Sequence, residues 1–366
     1  MSKHNILHNS TTNLFFTGVK DFVKNLSPAY FAMVMSTGII SISCYLLGMD
    51  FIAHVLFWLN LWVYVSLWLF SLLRIIIYRK EFFSDMLDHQ KGPGFFTVVA
   101  GSCILGSQFV IIFQNYSAAF ILWILGLMLW VLLTYTIFTG FTIKENKPTL
   151  DVGISGAWLL AIVATQAIAV LSALISVHLE QPHRLHMNFL ALCMWLWGGM
   201  LYIWMISLIF YRYTFFRFSP GDLSPPYWIN MGAMAISTLA GSLLIKNTND
   251  APFLLSLLPF LKGFTVFFWV TGTWWIPMLF ILAIWRHVYK RFPLKYDPLY
   301  WGAVFPLGMY TACTFRMADA MNLNFLDQVP RYFIYIALAA WLAASIGFVR
   351  SIAIQLSLLV TKPVKS

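Results

Sequence analysis

The chain has 366 residues, of which 60% are hydrophobic, 18% aromatic and only 10% charged. This composition excludes a soluble globular domain, because a water-facing surface of that size needs many more charged side chains. The sequence therefore predicts an all-α integral membrane protein. Its net charge of +10 does not indicate a nucleic-acid partner, since the basic residues follow the loops between apolar segments.

Ten apolar segments follow one another, and each is long enough to cross a bilayer as a helix, which takes about 20 residues. These predicted spans, first to tenth, are 28–48, 52–77, 94–114, 118–142, 154–177, 188–211, 227–245, 252–285, 299–322 and 331–360. They predict a transmembrane domain over 27–360 with a short tail at 361–366. The polar arm at 1–26 lacks a small-residue cleavage site and is expected to be a cytoplasmic arm rather than a signal peptide.

The basic residues predict the orientation of the spans. Eighteen of the Lys and Arg residues fall in the termini and the loops on one side, and five fall on the other side. Because cytoplasmic loops of membrane proteins are enriched in Lys and Arg, both termini are predicted to be cytoplasmic. The expected location is the plasma membrane, in a bacterial cell the inner membrane, with multiple crossings.

The odd-numbered spans open with one repeated pattern, in which a turn residue precedes large apolar residues. The five copies are Ser27-Pro28-Ala29-Tyr30-Phe31, Gly92-Pro93-Gly94-Phe95-Phe96, Ile154-Ser155-Gly156-Ala157-Trp158, Ser224-Pro225-Pro226-Tyr227-Trp228 and Asp297-Pro298-Leu299-Tyr300-Trp301. Successive copies are 65, 62, 70 and 73 residues apart, which is about two spanning helices with their loops. The repeat predicts five tandem helical hairpins.

The odd and even spans differ in composition. Thirteen of the 16 tryptophans lie in the even spans, whereas the odd spans carry runs of small and hydroxyl residues. Large amphipathic rings suit contact with lipid, and small residues suit close helix packing or a narrow lumen. We therefore expect five inner odd helices around a central pore and five outer even helices.

Candidate pore-lining residues come from the odd spans. They are Met35, Ser36, Gly38, Gly101, Ser102, Gln108, Ile162, Thr165, Gln166, Gly232, Ser237 and Gly241. The alternative for the polar ones is hydrogen bonding between helices, and for the small ones tight packing. The middle of each span lacks Asp, Glu, Lys and Arg, which favours a passive path over a proton-coupled pump.

One position differs among the aligned odd spans. Seven and eight residues past the aligned Pro or Ser, the copies read Met35-Ser36, Ala100-Gly101, Ile162-Val163, Gly232-Ala233 and Phe305-Pro306. Pro306 removes a backbone hydrogen bond and favours a kink, so Phe305 could project from it and gate a pore. A core phenylalanine beside a kink is the alternative interpretation.

Two stretches carry a resemblance to a known family. Residues 27–40 and 301–307 resemble the tellurite-resistance/dicarboxylate transporter family, which includes TehA-like proteins and slow-type anion channels. The resemblance covers about 25–360. It implies a homotrimer with one pore per subunit, five inner helices inside five outer ones, and a pore blocked by the phenylalanine of the ninth helix, which Phe305 matches.

The leading hypothesis is a passive channel for small inorganic or carboxylate anions, embedded in membrane lipid and without a cofactor. The alternative is a secondary carrier for C4-dicarboxylates or for sulfite or tellurite oxyanions, with or without proton coupling. A dianion would need a buried cation, and the nearest candidate at the pore mouth is Arg316 with Asp319. The alternative interpretation of this pair is a structural ion pair at a helix end.

An enzyme is not expected. Three histidines crowd one loop, at His178, His183 and His186. Their spacing suits no standard metal site, and loop histidines are usually solvated. Neither a catalytic residue nor a metal site is therefore assigned from the sequence.

Overall fold

The computed structural model describes residue 18 and residues 20–361 of the chain. Helices account for all the regular secondary structure in this part of the chain, so the all-α prediction is confirmed. Most of the predicted arm at 1–26, and residues 362–366 of the predicted tail, lie outside the described residues.

Ten long helices follow the order of the predicted spans. Their bounds are α1 Ala32–Leu46, α2 Asp50–Ile77, α3 Phe96–Phe113, α4 Tyr116–Ile143, α5 Leu160–Ser176, α6 His183–Phe215, α7 Ile229–Lys246, α8 Leu258–Ile284, α9 Trp301–Met321 and α10 Gln328–Thr361. Within the described residues, nine of them, counted together with the short helical turns that adjoin them, are long and apolar enough to cross a membrane. The exception, α9, has 21 residues but is less apolar, so a tenth crossing stays a prediction.

The five odd-numbered helices pack against one another in a closed ring. Each contacts the next, α1 to α3, α3 to α5, α5 to α7 and α7 to α9, and α9 returns to contact α1. In the apolar stretches that contain α1, α3, α5 and α7, 83 to 94% of the residues are buried. We call these five the inner helices.

The five even-numbered helices lie outside this ring. Each packs on the inner helix before it and on the one after it, and α10 packs on α9 and α1. Only 17 to 50% of the residues in their apolar stretches are buried, and their outward faces expose large apolar side chains such as Phe51, Trp62 and Trp274. Such faces suit a hydrocarbon surrounding. We call these five the outer helices.

An aromatic side chain of every outer helix hydrogen-bonds to the next inner helix. Tyr64 bonds the hydroxyl of Ser102, Trp130 donates to Thr165 Oγ1, Trp195 to the Ser237 carbonyl, Trp269 to Thr314 Oγ1 and Trp341 to Thr37 Oγ1, all at 2.8–3.0 Å. Because hydrocarbon offers no partner to these polar groups, the bonds stabilise each outer helix at its place. The last one joins α10 to α1 and so closes the ring between the two ends of the chain.

Cations anchor four outer helices at the end of the bundle where the inner helices begin, which we call the basic end. Each donates to a loop carbonyl: Arg74 to Lys24, Lys144 to Leu87, Arg212 to Asp151 and Arg286 to Leu223. Arg74 also pairs with Asp85, as does Lys91. Burial raises the pKa of Asp85, but the hydrogen bonds from Lys91 and Arg74 outweigh it and hold that pKa below its usual value.

Replacing the ring-closing tryptophan should destabilise the fold. We expect Trp341→Phe to lower the free energy of unfolding by about 1 kcal/mol, because Thr37 then loses its donor in a dry environment. The measurement is thermal unfolding in detergent, with Trp274→Phe as control, since Trp274 is 54% exposed and makes no hydrogen bond among the described residues. Equal effects of the two substitutions would contradict this role.

Candidate functional site

The five repeated segments meet at the basic end. Each forms a short turn of 3₁₀ helix that leads directly into an inner helix: Pro28–Phe31, Gly92–Phe95, Gly156–Leu159, Pro225–Trp228 and Pro298–Tyr300. Each turn contacts the next, and the fifth contacts the first. The sequence repeat therefore builds a closed ring of turns around the axis of the inner helices.

Local chemistry fixes these turns. Ser27, Ser155 and Asp297 each cap a turn, because the side-chain oxygen accepts the backbone N–H two residues ahead at 2.8–3.3 Å. At Gly156 the third and fourth turns approach so closely that a Cβ would lie 2.5 Å from the carbonyl oxygen of Pro226. Only glycine permits that approach.

The ring of turns surrounds a cavity of about 450 Å³, which we call the mouth. Residues from all five repeat copies line it, together with four charged side chains, Lys91, Arg212, Asp222 and Asp297. The mouth is therefore wide and carries charges of both signs. The N-termini of five inner helices converge on it, and those termini add partial positive charge.

Arg212 organises one side of the mouth. Its guanidinium donates to the Asp151 carbonyl at 2.7 Å, to the Tyr227 hydroxyl, and to Asp222 Oδ1 at 3.4 Å. Burial raises the pKa of Asp222, but hydrogen bonds from Ser219 and the charge of Arg212 lower it by more. The pKa of Asp222 therefore lies below its usual value. Asp222 therefore stays ionised at neutral pH and offsets the charge of Arg212.

A second cavity, of about 20 Å³, lies on the axis toward the ends of the inner helices opposite to the mouth. Every inner helix lines it with residues spaced by three or four. These are Ile39, Ile42 and Leu46 of α1, Ile104, Ser107 and Ile111 of α3, Ala167, Val170 and Leu174 of α5, Ile236, Leu239 and Leu243 of α7, and Met309, Ala312 and Arg316 of α9. We call these five faces the axial stripes. They leave room for about one water molecule between mostly apolar walls.

By helical spacing, Phe305 falls on the same face of α9 as the axial stripe, between the turn that lines the mouth and the residues that line the axial cavity. Residues four positions apart lie on the same face of a helix. One turn before the first lining residue of each axial stripe, the five inner helices therefore form one layer, which we call the axial layer: Met35, Ala100, Val163, Gly232 and Phe305. All five are buried. Phe305 carries the one aromatic ring of this axial layer, and the other four residues are smaller or flexible.

The helix that carries Phe305 is braced at this level. Pro306 stands inside α9, which is continuous from Trp301 to Met321, and it packs so closely on Gly232 that a Cβ there would lie 2.7 Å from its Cγ. From α1, Ser36 donates to the Trp301 carbonyl at 2.6 Å and Ser43 to the Gly308 carbonyl at 2.9 Å. Neighbouring helices thus hold α9 on both sides of the proline.

The residues predicted to line a pore divide into two groups. Met35 and Gly232 belong to the axial layer. The other polar residues hydrogen-bond to neighbouring helices: Ser36 with α9, Ser102 with Tyr64, Gln108 with Asn60, Thr165 with Trp130, and Gln166 and Ser237 with Trp195. The other glycines pack closely on neighbouring residues: Gly38 on Asn60 and Ile104, Gly101 on Phe31 and Val34, and Gly241 on Thr265. Ile162 is buried beside the axial stripe of α5. Hydrogen bonds between helices occupy most of the polar groups, so the axis is lined by aliphatic residues that sequence reasoning passed over.

The expected ion pair between Arg316 and Asp319 is not formed. Asp319 instead pairs with Lys246, which ends α7, whereas Arg316 lies on the axial stripe of α9 at the far end of the axial cavity. Lys246 reaches Asp319 from the neighbouring helix α7 and takes the place that Arg316 was expected to occupy. Of the three loop histidines, His178 stacks on Tyr116, with the ring centroids 4.0 Å apart. The described residues contain no metal-binding cluster.

Comparison with known proteins identifies relatives over most of the chain. Residues 25–349 match the family described as voltage-dependent anion channel. An uncharacterized membrane protein of Mycobacterium tuberculosis is 37% identical over 42% of this chain and 77% of its own length. An uncharacterized transporter of Methanocaldococcus jannaschii is 26% identical over 91% of this chain and 97% of its own. The sulfite efflux pump SSU1 of Trichophyton rubrum is 24% identical, with 87% and 88% covered.

A methyl group at Gly232 should disturb the axial layer. We expect Gly232→Ala to destabilise the protein by about 1–3 kcal/mol, because the new Cβ would overlap Pro306. The matched control is Gly263→Ala in α8, where nothing lies within 4 Å of an added Cβ and the better helix propensity of alanine should stabilise the protein by up to about 1 kcal/mol. Thermal unfolding measures both, and a stabilising Gly232→Ala would contradict the close packing of α7 on α9.

Proposed function

The chain belongs to the voltage-dependent anion channel family, and from that membership together with the fivefold ring we propose that it conducts small anions along the axis of the inner helices, with Phe305 blocking the path at rest. The family consists of channels and transporters rather than enzymes, so transport of anions across a membrane is the activity at the level of the family. The conducting path and its gate are our proposal.

The axial layer is the observation that carries the proposal. In the proposed path, fully buried Phe305 separates the mouth from the axial cavity, with Ala100 and Gly232 as small residues of the same layer. A bulky apolar ring at a narrow point can block ions both by its volume and by excluding water. A change of its rotamer, or a small shift of α9, would join the two cavities.

The walls of the path favour passive movement. Within the described residues, the axial stripes carry no carboxylate, and proton-coupled carriers usually place an ionisable relay inside the membrane. The five inner helices all begin at the mouth, so their partial positive charges favour anions over cations there. Both features support a channel with an electrostatic preference for anions.

The setting of the channel is part of the proposal. The excess of Lys and Arg at the basic end supports a cytoplasmic mouth. The nine helices of membrane-crossing length and their exposed apolar faces support a lipid surrounding, and the family resemblance supports a homotrimer with a pore in each subunit. Light scattering of the detergent-solubilised protein tests the trimer, and a monomer would contradict it.

Opening the axial layer should create anion conductance. We expect Phe305→Ala to raise chloride and nitrate currents in planar bilayers by about tenfold or more, because each 1.4 kcal/mol removed from a barrier is a factor of ten in rate. Phe268→Ala is the matched control, since Phe268 is equally buried but belongs to the outer helix α8. Unchanged currents in a well-folded Phe305→Ala protein, or equal currents in both variants, would contradict the gate.

A secondary carrier is the second candidate, and the fungal relatives named sulfite efflux pumps favour testing it. Proteoliposomes loaded with a pH-sensitive dye would report proton movement when sulfite is added outside. Saturable, sulfite-dependent proton flux without channel currents in Phe305→Ala would favour the carrier. Currents that reverse at the anion equilibrium potential, without proton flux, would favour the channel.

A further inference from the structure

We propose that the guanidinium of Arg316 is an anion-binding site within the axial path, and that its ligand is a small inorganic anion of the class of chloride or nitrate. This inference deepens the proposed function and rests on it. It assigns the ligand contact to one side chain of α9, at the end of the axial cavity away from the mouth.

The position of Arg316 places its charge on the axis. It follows Ala312 by four residues and Phe305 by eleven, so the three share the axial stripe of α9. Around the same cavity, the last lining residues of the other inner helices are all aliphatic, namely Leu46, Ile111, Leu174 and Leu243. Within the described residues that line the cavity, Arg316 is the one charged group.

Arg316 also lacks a counter-charge. It makes no hydrogen bond or ion pair with any described residue. The nearest acid along α9, Asp319, attracts it through space, but that carboxylate is held by Lys246. A guanidinium has five N–H donors, and a partly buried charge without partners is destabilising. An exchangeable anion from solution supplies the counter-charge and the hydrogen-bond acceptors that the protein does not provide to Arg316.

The size and chemistry of the cavity define the ligand. Its volume of about 20 Å³ excludes a large organic dianion in this conformation, and one positive charge matches one negative charge. The other polar side chain of the lining, Ser107, already donates its hydroxyl to the Cys103 carbonyl at 2.9 Å. The planar fork of an arginine suits an oxyanion such as nitrate as well as a halide.

A stability measurement tests binding without any transport. In sodium gluconate, addition of sodium nitrate should raise the unfolding temperature of the wild-type protein by about 2 °C or more, because a ligand that binds only the folded state stabilises it. Arg316→Gln should remove this shift and be at least as stable in gluconate alone. Arg316→Lys should keep part of the shift.

The control for this measurement is Arg331→Gln. Arg331 lies on the same side of the protein, on α10, but is exposed and lines a surface pocket rather than the axial cavity. It should keep the full nitrate shift. An equal shift in Arg316→Gln and wild type, or loss of the shift in Arg331→Gln alone, would overturn the proposal.

Ion selectivity gives the second readout, in the Phe305→Ala background. There, Arg316→Gln should lower the chloride-to-sodium permeability ratio by about tenfold, which corresponds to about 1.4 kcal/mol, while Arg316→Lys should keep most of it. If Phe305→Ala conducts anions but Arg316→Gln leaves the ratio unchanged, Arg316 is not the site and the channel stands. If Phe305→Ala conducts nothing, the channel fails, and the nitrate shift alone decides on Arg316.

Discussion

The structure depends on one constraint: polar groups inside a bundle surrounded by hydrocarbon must find partners within the protein. The bundle meets it with five hydrogen bonds from aromatic side chains of the outer helices to the inner ring, ending with Trp341 on Thr37. Because four of these bonds engage inner hydroxyls from outside and the fifth engages the Ser237 carbonyl, the opposite faces of the inner helices are free to be aliphatic. A closed ring of five helices with an apolar axis is the result.

The same arrangement gives the proposed gate its surroundings. With polar groups directed outward, the axial layer contains Met35, Ala100, Val163 and Gly232, which are small or flexible, and a single aromatic ring in Phe305. Serines of α1 hold α9 on both sides of Pro306, so the ring is presented at a fixed height. The lone charge of Arg316 lies further along the same stripe, where the walls offer an anion no other strong contact.

The sequence predicted the all-helical fold and its membrane-crossing helices, because composition and the length of apolar segments depend on them directly. The five opening segments, read as helix starts, form the ring of turns, and their alignment placed Phe305 at a distinct level. The axial stripes do not follow from polarity along the sequence. Thr165 and Gln166 are polar residues of an inner helix, but their partners Trp130 and Trp195 lie on neighbouring outer helices. The spacing of Ile39, Ile42 and Leu46 was the available signal. The partner of Asp319 could not be predicted, since Lys246 is 73 residues away in the chain.

Accessibility of the axis is the most direct test of the central claim that Phe305 separates the mouth from the axial cavity. Ala312→Cys would be treated from the basic end with a negatively charged, membrane-impermeant thiol reagent, in a background without the exposed Cys193. We predict that the thiol reacts when Phe305 is replaced by Ala and stays unreactive when Phe305 is present. Equal reaction rates in the two backgrounds, or no reaction in either, would contradict the account.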